Sequence, residues 1–215
     1  MRRIRQERNS AVGMYTKKKI DAVAKDISID AKSSVGDVYG IYIHEGGKAA
    51  ITGNVSILAK QGGDGFADGI KLYNGGSALT INGNLAMKGT GSGNDAYGVS
   101  AAQKGGYGST KTYQATGINI YDKDGAAFTL NGNLDMKVKG VGVDMRGSEK
   151  NAVTIAGGTI FTPDDGEEAS YKAVAATSGT FAMGMNDAKT GSNGKDVVVQ
   201  LSLIHISEPT RLRRI

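Results

Sequence analysis

GIKLYNGGSALTINGNLAMKG, residues Gly69–Gly89, decides how this chain folds. Ile70 and Leu72 alternate with Lys71 and Tyr73, Leu79 and Ile81 with Thr80 and Asn82, and Leu85 and Met87 with Ala86 and Lys88. Apolar residues at every second position over such short runs predict strands with one buried face, not a helix. The breaks NGG and NG hold residues that tolerate positive φ or hydrogen-bond their own turn. The stretch therefore predicts three short strands joined by tight corners.

The same pattern recurs. GIYIHEGGKAAITGNVSILAK starts at Gly40, GINIYDKDGAAFTLNGNLDMK at Gly117 and GVDMRGSEKNAVTIAGGTIFT at Gly142. DISIDAK, Asp26–Lys32, matches the end of a preceding unit, and Tyr97–Val99 (Tyr-Gly-Val) is expected to open another, since Gly40, Gly69 and Gly98 are spaced 29 apart. Three one-faced strands per unit cannot enclose a core alone, but stacking units about 4.8 Å apart buries the apolar faces as one column. The expected fold is all-β: a parallel β-helix, or solenoid, with about 25–30 residues and three short strands per coil, spanning residues 19–200. Exposed loops are expected at Gly98–Thr116 and Pro163–Ser170. An antiparallel all-β fold is the other candidate, but hairpins impose no such recurrence.

Composition agrees. Gly is 33 of 215 residues, about twice the usual share, and 39% of residues are hydrophobic, too apolar for disorder and too glycine-rich for a helical protein. The absence of Cys excludes disulfides, thiolate metal sites and a Cys nucleophile. No apolar run approaches the ~18 residues of a membrane span.

The formal charge of +5 sits at the two ends. Residues 1–11 carry four Arg and one Glu, and residues 201–215 three Arg and one Glu. Between them, 18 Lys and Arg146 balance 19 Asp and Glu. A neutral body with scattered charges offers no phosphate-tracking patch, so nucleic-acid binding is not expected.

The ends read differently from the body. Residues 1–18 are basic, lack the apolar core of a signal peptide and stay unassigned. At the other end, DVVVQ, Asp196–Gln200, aligns with AVTIA, Ala152–Ala156, so the repeat predicts a glycine after Gln200 where Leu201 stands. LSLIHISEPTR, Leu201–Arg211, resembles the translation of a sequencing-library adapter. Residues 201–215 are accordingly expected to be artefact and the repeat domain to be truncated at Gln200, leaving an open strand edge that favours oligomers.

The units from Ile27 to Gln200, such as YGIYIHEGGKAAITGNVSI and GIKLYNGGSALTINGNLAM, resemble the passenger region of bacterial autotransporter adhesins. That resemblance implies export through the periplasm, a right-handed β-helix displayed at the cell surface, and a β-barrel anchor downstream in the outer membrane.

The search for chemistry returns little. His44, the one histidine outside residues 201–215, is expected outside the coil, with no triad partner or second metal ligand. Asp64, Asp68, Asp95, Asp122 and Asp124 fall in Gly-rich stretches and are expected to cap backbone amides. GGDGFADG (Gly62–Gly69) and GSGNDAYG (Gly91–Gly98) faintly resemble calcium-binding nonapeptides, but lack the tandem copies such sites need. No metal, cofactor or catalytic residue is expected. Arg146 and Asp144 are expected to form a surface ion pair.

The positive feature is an exterior column. Aligning the repeat glycines stacks Tyr42, Lys71, Asn119 and Asp144 on one outer line and His44, Tyr73, Tyr121 and Arg146 on the next. Exposed tyrosines in a row can stack against sugars or a partner's apolar surface, although outward Tyr is also simply a good strand former. The candidate binding residues are Tyr42, His44, Tyr73, Tyr121 and Arg146. The expected function is an adhesive β-helical stalk whose partners are glycans or proteins of a host or neighbouring cell. The alternatives are a carbohydrate-active β-helix enzyme with its site in other coils, and a spacer without ligand.

Overall fold

A computed structural model describes residues 10–17, 21–101, 115–162, 172–184 and 197–201. Strands hold 70% of them, and the only helical turn among them is a 3-10 turn at Gly93–Ala96. The first unit contributes β1 (Ala11–Lys17), β2 (Asp21–Ala24) and β3 (Ile27–Val35). The second contributes β4 (Val38–His44), β5 (Lys48–Ile51) and β6 (Val55–Asp64). The third has β7 (Ala67–Tyr73), β8 (Ala78–Ile81) and a third strand broken into β9 (Leu85–Met87) and β10 (Val99–Ala101). The fourth has β11 (Ala115–Tyr121) and the long β12 (Ala127–Lys139); the fifth has β13 (Val141–Arg146) and β14 (Ala152–Thr162). β15 (Lys172–Ala176), β16 (Thr180–Met183) and β17 (Val197–Leu201) close the series.

Every pairing among the described strands is parallel, and the inner strands lie between their counterparts in neighbouring units. The first strands form a six-stranded sheet, β1-β4-β7-β11-β13-β15. The remaining strands form one eleven-stranded sheet, because β12 and β14 run through the corner that separates second from third strands elsewhere. The all-β, parallel character expected from the alternation is thus what the chain adopts. The stack begins earlier than the sequence indicates, since β1 lies within the basic N-terminal segment and pairs with β4.

Inward residues repeat rung by rung. Ile41, Ile70, Ile118 and Val143 form one line, Ile43, Leu72, Ile120 and Met145 the next, and Ile51, Ile81, Leu130 and Ile155 face them from the second sheet. All are buried. Each such side chain contributes about 1.5–3 kcal/mol through removal from water.

The repeat glycine has a steric cause. A Cβ on Gly69 would lie 2.7 Å from the Gly117 carbonyl oxygen and 2.8 Å from Met87 Sδ. One on Gly117 would meet the Gly142 carbonyl oxygen at 2.6 Å and Met136 Sδ at 2.5 Å. These glycines are where the first strand presses against the next unit and the third strand's core side chain. The Gly-Asn corner has its own cause: Asn54 Oδ1 accepts the Asn84 backbone N–H (2.9 Å), and Asn84 Oδ1 that of Asn133 (2.9 Å). An asparagine ladder thereby satisfies corner amides that the strands leave open. It stops at Asn133, which faces Gly157 and whose Oδ1 is buried without a partner.

Two sequence expectations change. Gly98 opens no new unit: Val99–Ala101 pair with Ala59–Gln61 on one side, and Val99 and Ser100 with Val138 and Lys139 on the other. β10 resumes the rung that β9 leaves, and residues 89–98 are an insertion whose length happens to reproduce the repeat spacing. Likewise Val197–Leu201 do not stack on Ala152–Ala156. They pair with Gly158–Thr162, and Thr180–Met183 take the place beside Ala152–Ile155. Gln200 is therefore mid-strand, opposite Phe161, and the register requires no glycine at 201. Residues 102–114, 163–171 and 202–215, which include most of the two expected loops and nearly all of the adapter-like tail, lie outside the described residues.

Candidate functional site

The outer face of the six-stranded sheet carries three lines of side chains. Tyr39, Asp68 and Thr116 share one, Tyr15, Tyr42, Lys71, Asn119 and Asp144 the second, and Lys17, His44, Tyr73, Tyr121 and Arg146 the third. The two columns expected from the repeat alignment therefore exist as drawn, with Tyr42 in one and His44, Tyr73, Tyr121 and Arg146 in the other.

The rings touch. Centroids lie 5.5 Å apart for Tyr15–Tyr42, 4.9 Å for Tyr39–Tyr42, 5.6 Å for Tyr42–His44, 5.1 Å for His44–Tyr73 and 5.7 Å for Tyr73–Tyr121. These separations fall in the range where aromatic pairs attract. His44 is half-buried between two tyrosines, not the freely exposed histidine its position before a corner implies. The row ends in exposed rings, Tyr15 at 52% and Tyr121 at 51%.

Lys71 anchors the middle. Its ammonium lies 4.9 Å from the Tyr39 ring centroid and 5.9 Å from that of Tyr73, within cation–π reach of both. It also pairs with Asp68 at 3.3 Å. Asp68 accepts two hydrogen bonds from Asn119 Nδ2, at 3.1 and 3.2 Å. Only 2% of Asp68 is exposed. Burial pushes its carboxyl above the ordinary range, and Lys71 and Asn119 offset part of that rise. Burial is also the first cause at the tyrosines: it lifts Tyr42 to about 12, with further contributions from Tyr15 and Tyr73, and moves Tyr39 higher still, with Asp68 and Asp37 adding to it. Tyr39 and Tyr42 are therefore neutral at physiological pH.

Asp68 corrects an expectation, for it lies within β7 and caps no turn. The turn role does hold for Asp122, whose carboxylate accepts backbone N–H bonds from Gly76 (3.1 Å), Ser77 (3.3 Å), Asp124 (2.8 Å) and Gly125 (3.2 Å). Asp124 accepts from Gly75 N–H at 3.0 Å. Asp95 belongs to the 3-10 turn and pairs with Lys60. Arg146 does pair with Asp144, but Asp144 is buried on this face and only the guanidinium is open to solvent.

Sequence reasoning missed Tyr15, Tyr39, Asp68 and the central role of Lys71. Strict alternation puts Tyr39 on the inner face with Ile41 and Ile43, and only the structure, with Gly40 as an extra residue, shows it beside Tyr42 on the outer face. The burial of Asp68 under Tyr39, Lys71 and Asn119 was no more legible, because periodicity assigns a face and not what neighbouring rungs lay over it. Among the described residues no three His, Asp or Glu side chains converge as a metal site, and no helix is long and apolar enough to cross a membrane. No protein-family model, curated protein or solved structure matches this chain.

Proposed function

We propose that this chain is part of a parallel, right-handed β-helical stalk, displayed on a bacterial cell surface as an autotransporter passenger, and that it adheres through the aromatic row. The parallel stacking of repeat units supports the solenoid. The right hand rests on the strong preference of crossovers between parallel strands. Surface display rests on the resemblance of the repeats alone.

The single observation that carries adhesion is the contiguous row Tyr15–Tyr42–His44–Tyr73–Tyr121 on a flat outer face. A row of aromatic rings, two of them half-exposed, presents π-faces for pyranose rings or for a partner's apolar side chains. Contacts of this kind are individually weak and gain strength by repetition along a rod. The face is read as binding and not catalytic because its buried carboxylates are occupied: Asp68 by Lys71 and Asn119, Asp144 by Arg146. In this reading residues 201–215 contribute nothing to the face.

The test is binding of the full chain to a glycan array and to cultured cells, beside Tyr73→Ser/Tyr121→Ser. The proposal expects binding by the parent and a drop of at least about tenfold in the variant, with both melting alike. Equal binding by the two, or none by the parent, overturns it; the latter outcome is what a spacer gives.

A further inference from the structure

A second site lies on the other sheet. Lys32, Lys60 and Lys139 line a cleft of about 510 Å³ with Ser33, Ser100 and Asn94. The register fixes their order along the stack: Lys32 is beside Lys60, Lys60 beside Ser100, and Ser100 beside Lys139. The ammonium-bearing rungs are thus one and two steps apart, about 5 and 10 Å at the usual strand spacing. Like charges on adjacent rungs repel, and an anion laid along them relieves that repulsion.

The protein already supplies substitutes for such an anion. The insertion between β9 and β10 folds its 3-10 turn over the cleft, where Asp95 Oδ1 lies 2.9 Å from Lys60 Nζ and Asn94 Oδ1 accepts from Lys139 Nζ at 2.8 Å. Lys60 is the sheltered partner, with 22% of its side chain exposed against 80% for Asp95. An exposed carboxylate on a sheltered ammonium is a weak tether that a ligand's oxyanion can displace at little cost. Lys32 pairs with the exposed Asp30, at 2.9 Å.

We propose that this cleft binds an acidic polysaccharide, its carboxylate or sulfate groups taken by Lys32, Lys60 and Lys139, with Asp95 as an internal competitor. A linear polymer carrying one charge per sugar, or per second sugar, presents anions at recurring intervals along such a line. The Ser and Asn side chains of the lining suit sugar hydroxyls. Among the described residues no aromatic ring lines the cleft, which favours a sugar polymer over single-stranded nucleic acids, held as those are on stacking platforms. The site shares no residue with the aromatic row and stands whether or not that row is adhesive.

The experiment is equilibrium binding of the full chain to immobilised polygalacturonate, which offers carboxylates alone, and heparin, which adds sulfates, with dextran and single-stranded DNA beside them. Lys60→Gln/Lys139→Gln is expected to weaken the acidic-polysaccharide affinity at least about tenfold, and Asp95→Asn to strengthen it several-fold. Lys48→Gln/Lys150→Gln, which removes the same charge from exposed positions outside the cleft, is expected to bind as the parent does. Binding to heparin but not polygalacturonate assigns the cleft to sulfate, and binding to both assigns it to oxyanions of either kind. Four results overturn the proposal: no binding to either acidic polymer, equal binding to dextran, tighter binding to DNA, or equal losses in the two double-lysine variants.

Discussion

The first-strand sheet and the third-strand line are built from the same repeat yet behave differently. The first is unbroken over six rungs, keeps one register and carries the aromatic row. The third is split at its middle rung by residues 89–98 and carries the lysine cleft. The difference follows from what each strand touches. In the first, a glycine on each of the first five units packs against the carbonyl oxygen of the next, so a residue added there moves the whole rung into its neighbour. In the third, Met87 stays opposite Met136 and Val99 opposite Val138. Between them the partner strand has one residue, Lys137, whose carbonyl accepts the Gly98 N–H at 2.9 Å. The chain leaves the sheet and returns one rung position on, so the insertion costs a loop and no register. The regular face is suited to repeated weak contact; the interrupted one to a single shaped site.

The largest test of that contrast is a pair of glycine variants. Gly69→Val places carbon against the Gly117 carbonyl and Met87, and is expected to destabilise the chain by at least about 3 kcal/mol. Gly62→Ala, in the third-strand line, meets only the Ser33 carbonyl oxygen at 3.7 Å and should stay within about 0.5 kcal/mol of the parent. Denaturant midpoints decide it, and equal costs break the comparison.

The next concerns Lys71. Lys71→Ala strands the buried Asp68 without its cation and should cost about 3 kcal/mol at pH 7. The folded-state pKa of Asp68 is raised, so the folded chain holds a proton the unfolded chain has released, and stability falls as pH rises through that value. Removing Lys71 raises it further. The cost of Lys71→Ala should therefore shrink as pH drops toward the ordinary Asp value of 3.8, and Asp68→Asn should recover most of it at pH 7. A cost independent of pH, with no recovery, would assign Lys71 to ring packing alone.

A smaller effect is expected from excising Gly89–Gly98 and joining Lys88 to Val99. The shortened strand keeps Leu85–Met87 opposite Leu134–Met136 and Val99 opposite Val138. Its stability should change by about 1 kcal/mol or less. An aggregated product would show that the insertion belongs to the core.

Much of this architecture was legible beforehand, because steric demands on the backbone write themselves into composition. The glycines that touch the next unit and the asparagines of the corner ladder recur as Gly and Gly-Asn, and period-2 alternation marks the faces. From these the outer columns of Tyr42 and of His44, Tyr73, Tyr121 and Arg146 follow by counting. Counting failed where the chain departs from the stack and returns. Gly98 mimics a repeat glycine by spacing, and Asp196–Gln200 mimics a second strand by its run of valines, though its described residues pair as a third. A local pattern holds no record of which rung a strand rejoins. The lysine cleft was hidden for the same reason, since Lys32, Lys60 and Lys139 become neighbours only through that register.

The most direct measurement is disulfide trapping across the insertion, in a chain that contains no cysteine of its own. Thr80 and Thr129 are register partners 49 residues apart, so cysteines at both should oxidise to a cross-link, their Cα atoms being about 5 Å apart in adjacent parallel strands. Cysteines at Thr80 and Ala127, two residues out of register, lie about 8 Å apart by the same strand geometry and should stay reduced. Cross-linking of the 80–129 pair alone is the predicted result. Cross-linking of 80–127 instead, or of neither, would contradict the stacking on which both proposed binding faces depend.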